Sequence, residues 1–303
     1  MSLSGVWTLE REDDRYPPAL AELDEHPEGV DPAPAILYGC GRLEALGPLA
    51  RGDAVTIVGS RRASGYGIGV ARRLAADLAS AGVAVVSGLA YGIDSAAHSG
   101  ALEAKGVTVA VLAGGPDVVY PRSAASLYRA LVRTGAAISE RTPGTVPERW
   151  AFPTRNRIMA AVAPITIVVE AAEASGSAIT ARSALALGRT VGAVPGPVTS
   201  RVSAGTTALL RDGAAPIATA EDVLDLLYGV GARGAARSGP TLDPELEPVL
   251  AAIEGGAQSA DSVALATGLG AREVAVAVTR LELIGYLAST ATGLYERTTL
   301  RVP

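Results

Sequence analysis

Ala54-Val55-Thr56-Ile57-Val58-Gly59-Ser60-Arg61 is the stretch that decides the fold. Five apolar or β-branched residues run without polar alternation into a glycine turn, as a strand buried on both faces does. Similar short runs recur at 83–86, 107–112, 165–169 and 190–194, with a weaker one at 136–138. Alanine- and leucine-rich segments of helical spacing lie between them, among them Ile68 to Ala81 and Ala178 to Leu187. Strands alternating with helices predict a doubly wound α/β domain with a parallel sheet over residues 50–229.

The flanks differ in character. Residues 1–49 carry a net charge of −7, and the proline-punctuated stretch from Glu10 to Pro34 predicts an acidic segment that wraps the larger body. Residues 230–241 have the composition of a linker. Over 242–303 the expected elements are helices at Pro244–Glu254, Asp261–Thr267 and Ala271–Ile284, then a hairpin from Gly285 to Tyr295. Helix–turn–helix plus hairpin is a winged-helix pattern. Its charge is −4, and the candidate recognition helix sets Arg272 and Arg280 against Glu273 and Glu282, which favours protein contact or packing over duplex reading.

Composition narrows the function classes. At 49% hydrophobic and 19% charged the 303-residue chain is a folded globular protein. No apolar run approaches the ~20 residues of a membrane span, and the start has no secretory pattern, so the cytoplasm is the expected compartment. One cysteine, Cys40, excludes internal disulfides and cysteine-cluster metal sites. The overall charge of −5 hides a cationic middle, +4 over residues 50–229, where a polyanion would bind.

In an open parallel sheet ligands bind beyond the carboxyl ends of the strands. Here those ends are rich in glycine and serine: Gly59-Ser60-Arg61, Ser87-Gly88, Gly114-Gly115, the segment Glu170 to Ser177, and Pro195-Gly196-Pro197. Bare amides and guanidinium forks at such turns suit phosphate oxygens. Arg149-Trp150-Ala151-Phe152-Pro153-Thr154-Arg155-Asn156-Arg157 adds three arginines, a tryptophan and the only phenylalanine. Pro147 and Pro153 are expected to hold the chain extended up to Arg155, with a helix from Ile158 to Ala163 and with Phe152 or Trp150 facing a nucleobase.

Cofactor and catalytic fingerprints are missing, and no cofactor or metal is expected. Gly65-Tyr66-Gly67-Ile68-Gly69 puts Val70 where a dinucleotide motif needs its third glycine, and no Gly-Lys pair exists for a P-loop. His26 and His98 stand apart; Asp94 is expected as a helix N-cap with His98 on the helix surface. Glu140 and Glu170 end strands at the ligand edge, where a general base could stand, and are expected instead to bond glycine-turn amides or to pair with arginines in the groove.

These ordered blocks resemble a known family, DNA-processing protein A, also called Smf. The likeness runs through Tyr16-Pro17, Leu37-Tyr38-Gly39, Gly59-Ser60-Arg61 and Ser87-Gly88-Leu89-Ala90-Tyr91-Gly92-Ile93-Asp94. It continues in Tyr120-Pro121, Phe152-Pro153-Thr154-Arg155-Asn156-Arg157, Ser175-Gly176-Ser177 and Ser203-Ala204-Gly205-Thr206. The resemblance implies a Rossmann-like domain that binds single-stranded DNA without catalysing a reaction. It further implies protection of incoming strands in natural transformation, loading of the RecA recombinase, and a homodimer joined through that domain. Residue by residue, Arg61 would clamp phosphate, and Gly59, Ser60, Ser87, Gly88, Gly176 and Ser177 would supply amides and hydroxyls. Arg149, Arg155 and Arg157, with Asn156 among them and Phe152 beside them, would line the same groove. Two other readings stay open: a nucleotide N-glycosidase on a similar sheet, whose P-G-G-x-G-T-x-x-E motif is replaced here by Ala113-Gly114-Gly115-Pro116-Asp117, and a winged-helix regulator.

Overall fold

The structure, a computed structural model, describes residues 5–25, 31–172, 175–232, 241–290 and 293–298. The chain divides into two compact units, residues 1–235 and 236–303. Most of the expected linker, residues 233–240, lies outside the described residues, as does His26.

In the first unit the elements run β1 (Val6–Glu10), α1 (Pro18–Ala21), β2 (Ile36–Gly41), α2 (Gly47–Ala50), β3 (Ala54–Val58), α3 (Gly65–Ser80), β4 (Ala84–Ser87) and α4 (Ile93–Glu103). They continue with β5 (Thr108–Val111), α5 (Ala125–Thr134), β6 (Ala136–Ser139), α6 (Ala151–Ala161), β7 (Ile165–Val168) and α7 (Gly176–Ala186). β8 (Thr190–Ala193), α8 (Ala204–Arg211), β9 (Ala215–Pro216) and α9 (Ala220–Tyr228) complete it. The nine strands form one sheet in the order β1-β2-β6-β5-β4-β3-β7-β8-β9.

β3 to β9 pair in parallel, as the apolar runs predicted. Side chains alternate across the sheet. Val55, Ile57, Val85, Ile165 and Ile167 pack with α3, α4 and α9, while Val58, Val86, Val109 and Val168 pack with α6 and α7. From β3 the chain steps outward through β4, β5 and β6, then returns for β7 on the other side of β3. The turns after β3 and β7 therefore leave in opposite directions and open a crevice between them.

The expected wrapping role of residues 1–49 needs correction. β1 and β2 pair antiparallel, and β2 pairs antiparallel with β6, so this segment extends the sheet. The stretch between β1 and β2 holds α1 and a 3-10 turn over Glu22–Glu25. The β-favouring Val6-Trp7-Thr8-Leu9 and Ile36-Leu37-Tyr38 are short, and the acidic stretch between them dominated the composition.

α3 and α4 approach so closely that a Cβ on Gly100 would fall onto the backbone carbonyl of Arg72. Gly100→Ala is expected to destabilise the first unit by ~1–3 kcal/mol through forced separation of the two helices; urea denaturation measures it.

The second unit has α10 (Glu247–Glu254), α11 (Ala260–Thr267), α12 (Ala271–Leu283), β10 (Leu287–Ser289) and β11 (Tyr295–Arg297), the last two antiparallel. Local chemistry sets its ends. Ser259 and Ser262 cap α11 reciprocally, and Gly268 takes the left-handed conformation (φ 73°) that stops it. Val249, Val263, Val274, Val278 and Leu281 close its core. Among the described residues no single helix is long and apolar enough to cross a membrane.

Candidate nucleic-acid interface

The crevice begins at the end of β3. A Cβ on Gly59 would meet Ile93 Cγ1 at 2.6 Å and Glu170 O at 2.8 Å, so glycine lets the turn lie between β7 and α4. The Ser60 amide donates to Glu170 O at 2.7 Å, and the Ser60 carbonyl accepts from Ile93 N at 3.2 Å. The Arg62 amide donates to Ser60 Oγ at 3.1 Å. Pinned at these points, the turn leaves Arg61 and Arg62 exposed.

They border a cleft of about 720 Å³ whose walls come from the turns after β3, β4 and β7 and from α6 and α7. On one wall the Phe152 ring meets Tyr120, centroids 5.5 Å apart and planes tilted by 52°. The Arg61 guanidinium carbon lies 5.2 Å from the Phe152 centroid, a cation–π stack of rim and wall. Arg149 stands on the same wall. Arg61, Arg62 and Arg149 pair with no carboxylate among the described residues. The opposite wall is the amino end of α7, with Ser175, Gly176, Ser177 and Thr180. Ser175 caps no amide; its hydroxyl meets Ser177 Oγ at 2.8 Å, and the positive end of the helix dipole faces the cleft.

Arg155 forms the floor and is 4% exposed. It donates to Gly88 O at 3.0 Å, to Val111 O, and through Nε to Asn156 Oδ1 at 3.2 Å. Burial lowers its pKa to about 10, so it remains cationic at neutral pH, with Asp94 favouring the charge and Arg61 opposing it. Asp94 is itself buried, and desolvation raises its carboxyl above the usual range against the pull of Arg155. The Asn156 amide reaches Gly176 O at 3.2 Å and ties α6 to the start of α7.

His98 corrects an expectation. It is fully buried, not on the surface of α4, and Gly92 rather than Asp94 occupies the cap position. Asp94 instead accepts from the Ala90 amide at 3.3 Å. Thr108 Oγ1 gives its proton to Val85 O, so it accepts from His98 Nδ1, 2.7 Å away. Nε2 is then unprotonated, and it has no hydrogen-bond partner among the described residues. Burial, with Arg155 adding to it, depresses the His98 pKa to about 3 from 6.5. Below pH 6.5 the unfolded chain takes up a proton that the folded one refuses, so stability should fall as pH drops from about 6.5 towards 3. His98→Gln is expected to flatten that part of a Tm-versus-pH profile.

Of the expected binding residues, Gly59, Ser60, Arg61, Arg149, Phe152, Arg155, Asn156, Gly176 and Ser177 line the cleft together. Ser87, Gly88 and Arg157 do not. The Ser87 hydroxyl is buried and donates to Ile57 O at 2.6 Å. Gly88 lies beneath Arg155, whose guanidinium occupies the space a Cβ would need. Arg157 is locked to Glu140 at 2.7 Å, and it donates to Asp31 O at 2.9 Å and Pro32 O at 2.8 Å. It fastens the N-terminal segment to α6. The amides assigned to the first turn are also partly used, since Ser60 N is spent on Glu170.

α6 begins at Ala151, so Pro153 sits in its first turn and Arg155 in its second, not at a helix start. Proline is tolerated in a first turn, where the missing N–H has no intrahelical acceptor. Of the strand-end glutamates, Glu170 accepts from Ser64 N at 2.9 Å beneath the start of α3, whereas Glu140 holds Arg157, an arginine outside the cleft and not one in the groove as expected. Sequence reasoning missed Arg62 and Tyr120 as cleft residues. Arg62 adjoins the glycine turn directly. Tyr120 reaches Phe152 only through the long connection after β5, which no local pattern reveals.

Taken by itself, the winged-helix unit spends two of its arginines internally. Arg280 pairs with Asp243 at 2.7 Å, and Arg297 pairs with Glu254 at 2.7 Å and stacks on Tyr286.

A Rossmann-like sheet with a basic, aromatic-walled cleft at its switch point, accompanied by a winged helix, sets the class of this chain. Its relatives agree. The model of the DNA recombination-mediator protein A family matches residues 7–228, and that of the DprA winged helix domain matches residues 233–292. The chain belongs to this family of DNA-processing proteins. It is 45% identical over 261 residues to a DprA chain of Mycobacterium tuberculosis, a match covering 84% of this chain and 66%, about two thirds, of that one. The X-ray structure of DNA processing protein A from Streptococcus pneumoniae superposes with a TM-score of 0.67 at 34% identity, covering 75% of this chain and 76% of that one. The structure describing the single-stranded DNA binding mode of the Helicobacter pylori protein gives 0.64 at 28%, covering 75% and 98%.

Proposed function

We propose that this chain binds single-stranded DNA in the cleft between the β3 and β7 turns, as a binding protein and not a catalyst. The observation that supports this most is the grouping of Arg61, Arg62 and Arg149 with the Phe152–Tyr120 pair over a cationic floor. Flexible guanidinium groups at the rim suit a phosphate chain, and the rings suit unpaired bases of any sequence. The family likeness carries the reading further: protection of incoming strands in natural transformation, loading of RecA, a homodimer through the sheet domain, and a cytoplasmic site of action.

The test is a salt titration with single strand, duplex and mononucleotide. Binding to the single strand should fall with a log–log slope of ~−0.7 for each phosphate neutralised. Equal binding of duplex, or none of single strand, would refute the reading. Phe152→Ala should cost ~1–3 kcal/mol of binding if the ring stacks a base, read from the same titration. Faster RecA assembly on DNA in the presence of the chain would support the mediator role; unchanged assembly would remove it.

No observation favours the N-glycosidase alternative. The turn that would carry its signature is closed: Gly115 N donates to Thr145 O, and Asp117 accepts from the Gly144 amide at 2.8 Å.

A further inference from the structure

Trp150 is a large aromatic that the cleft does not use. It stands at the start of α6, does not line the cleft, and is 50% exposed. Its indole is nonetheless held in place. Nε1–H donates to the Glu148 carboxylate at 2.5 Å, and the Arg141 guanidinium lies 4.7 Å over the ring centroid. Arg141 follows β6 on the carboxyl edge of the sheet, with its amide fixed to Ser139 Oγ at 2.9 Å. Exposed single apolar residues are common on proteins, but an indole held at its edge by the Glu148 carboxylate and covered by the Arg141 guanidinium is a preformed flat surface with a cation on its face. Such a stack meets what a nucleobase and its phosphate require.

Position links this surface to the cleft. Trp150 and Phe152 are two residues apart at the start of a helix with ~3.6 residues per turn, so their side chains point to nearly opposite sides. One strand touching both must cross the amino end of α6, where Arg149 stands and the helix dipole is positive.

We infer that Trp150 and Arg141 form a second base-stacking platform, outside the cleft, which takes the stretch of single strand that leaves past Phe152. The inference rests on the cleft being the single-strand site.

The experiment uses the full chain and a homothymidine series of increasing length. Longer oligonucleotides should quench the fluorescence of Trp150 in the wild-type protein. In Trp150→Phe, which leaves Trp7 as the only tryptophan, the quench should disappear. Trp150→Ala and Arg141→Ala should leave the affinity for the shortest binding oligonucleotides unchanged and lower it about 5- to 100-fold for long ones. An equal loss at every length, no loss at any, or a quench that survives Trp150→Phe would overturn the platform. If Arg61→Ala abolishes binding while Trp150→Ala changes nothing, the cleft stands and the platform falls. If the wild-type protein binds no homothymidine of any length, both fall.

Discussion

Arg61→Ala is expected to weaken single-strand binding by about 10- to 100-fold, the equivalent of ~1.5–3 kcal/mol for a hydrogen bond to a charged group. Two features set Arg61 apart from the other arginines of the cleft. It sits on a turn fixed by Glu170 O and Ile93 N, so its backbone needs no ordering on binding. Its guanidinium already lies against Phe152, which positions it between the base-stacking wall and the open rim. Removing it should also shrink the salt slope by ~0.7 for each phosphate it neutralises. Arg61→Lys should recover only part of the loss, because an ammonium keeps the charge but not the planar fork. Wild-type affinity in Arg61→Ala would remove this residue from the site. A loss in Arg61→Ala equal to that of the double variant with Phe152→Ala would show that the two act as one unit.

The second large effect lies in stability. Arg157→Ala is expected to cost ~3–5 kcal/mol, the penalty for breaking a buried ion pair by removing one partner. The Arg157 and Glu140 side chains are 7% and 19% exposed, and both terminal nitrogens of Arg157 reach the carboxylate, at 2.7 and 3.1 Å. The same guanidinium satisfies carbonyls of Asp31, Pro32 and Thr154. Its loss strands all of them and loosens the join between the N-terminal segment and α6. Because Glu140 is partly open to water, the lower half of the range is the better expectation. Replacing both partners, as in Arg157→Met with Glu140→Leu, should cost less than the single change. The variant that remains folded should bind DNA nearly as the wild type does, since Arg157 does not line the cleft. Urea denaturation and a binding titration on the same sample separate the two effects; intact stability with lost binding would return Arg157 to the interface.

The fold was legible because parallel strands write themselves as uninterrupted apolar runs. All the runs from Ala54 to Val194 became strands of one sheet. What escaped were the edges: β1, β2 and β9 are short or half-exposed, and their pairing depends on neighbours distant in sequence. The site was legible as a rim of glycines and arginines, because a parallel sheet brings the ends of its strands to one side. Depth was not legible. Arg149, Arg155 and Arg157 fall within nine residues, yet one borders the cleft, one forms its floor and one is an internal tether. Helical phase separates Arg155 from Arg157 within α6, Arg149 precedes that helix, and two prolines obscured where it begins. Of the arginines expected in one groove, Arg61, Arg149 and Arg155 border or floor the same cleft, and Arg157 does not. His98 escaped for a similar reason: its spacing from Asp94 suggested a helix surface, whereas its side chain turns inward to the sheet and meets Thr108 of β5.

The claim on which the rest depends is that an unpaired strand lies in the cleft at the switch point of the sheet. Photocrosslinking of a thymidine-rich single strand to the full chain, with the modified residues mapped, tests it most directly. Adducts should fall on Phe152 and Tyr120, and they should decline together in Arg61→Ala. Adducts confined to residues 241–298, or scattered along the sheet edges with the cleft unmarked, would contradict it.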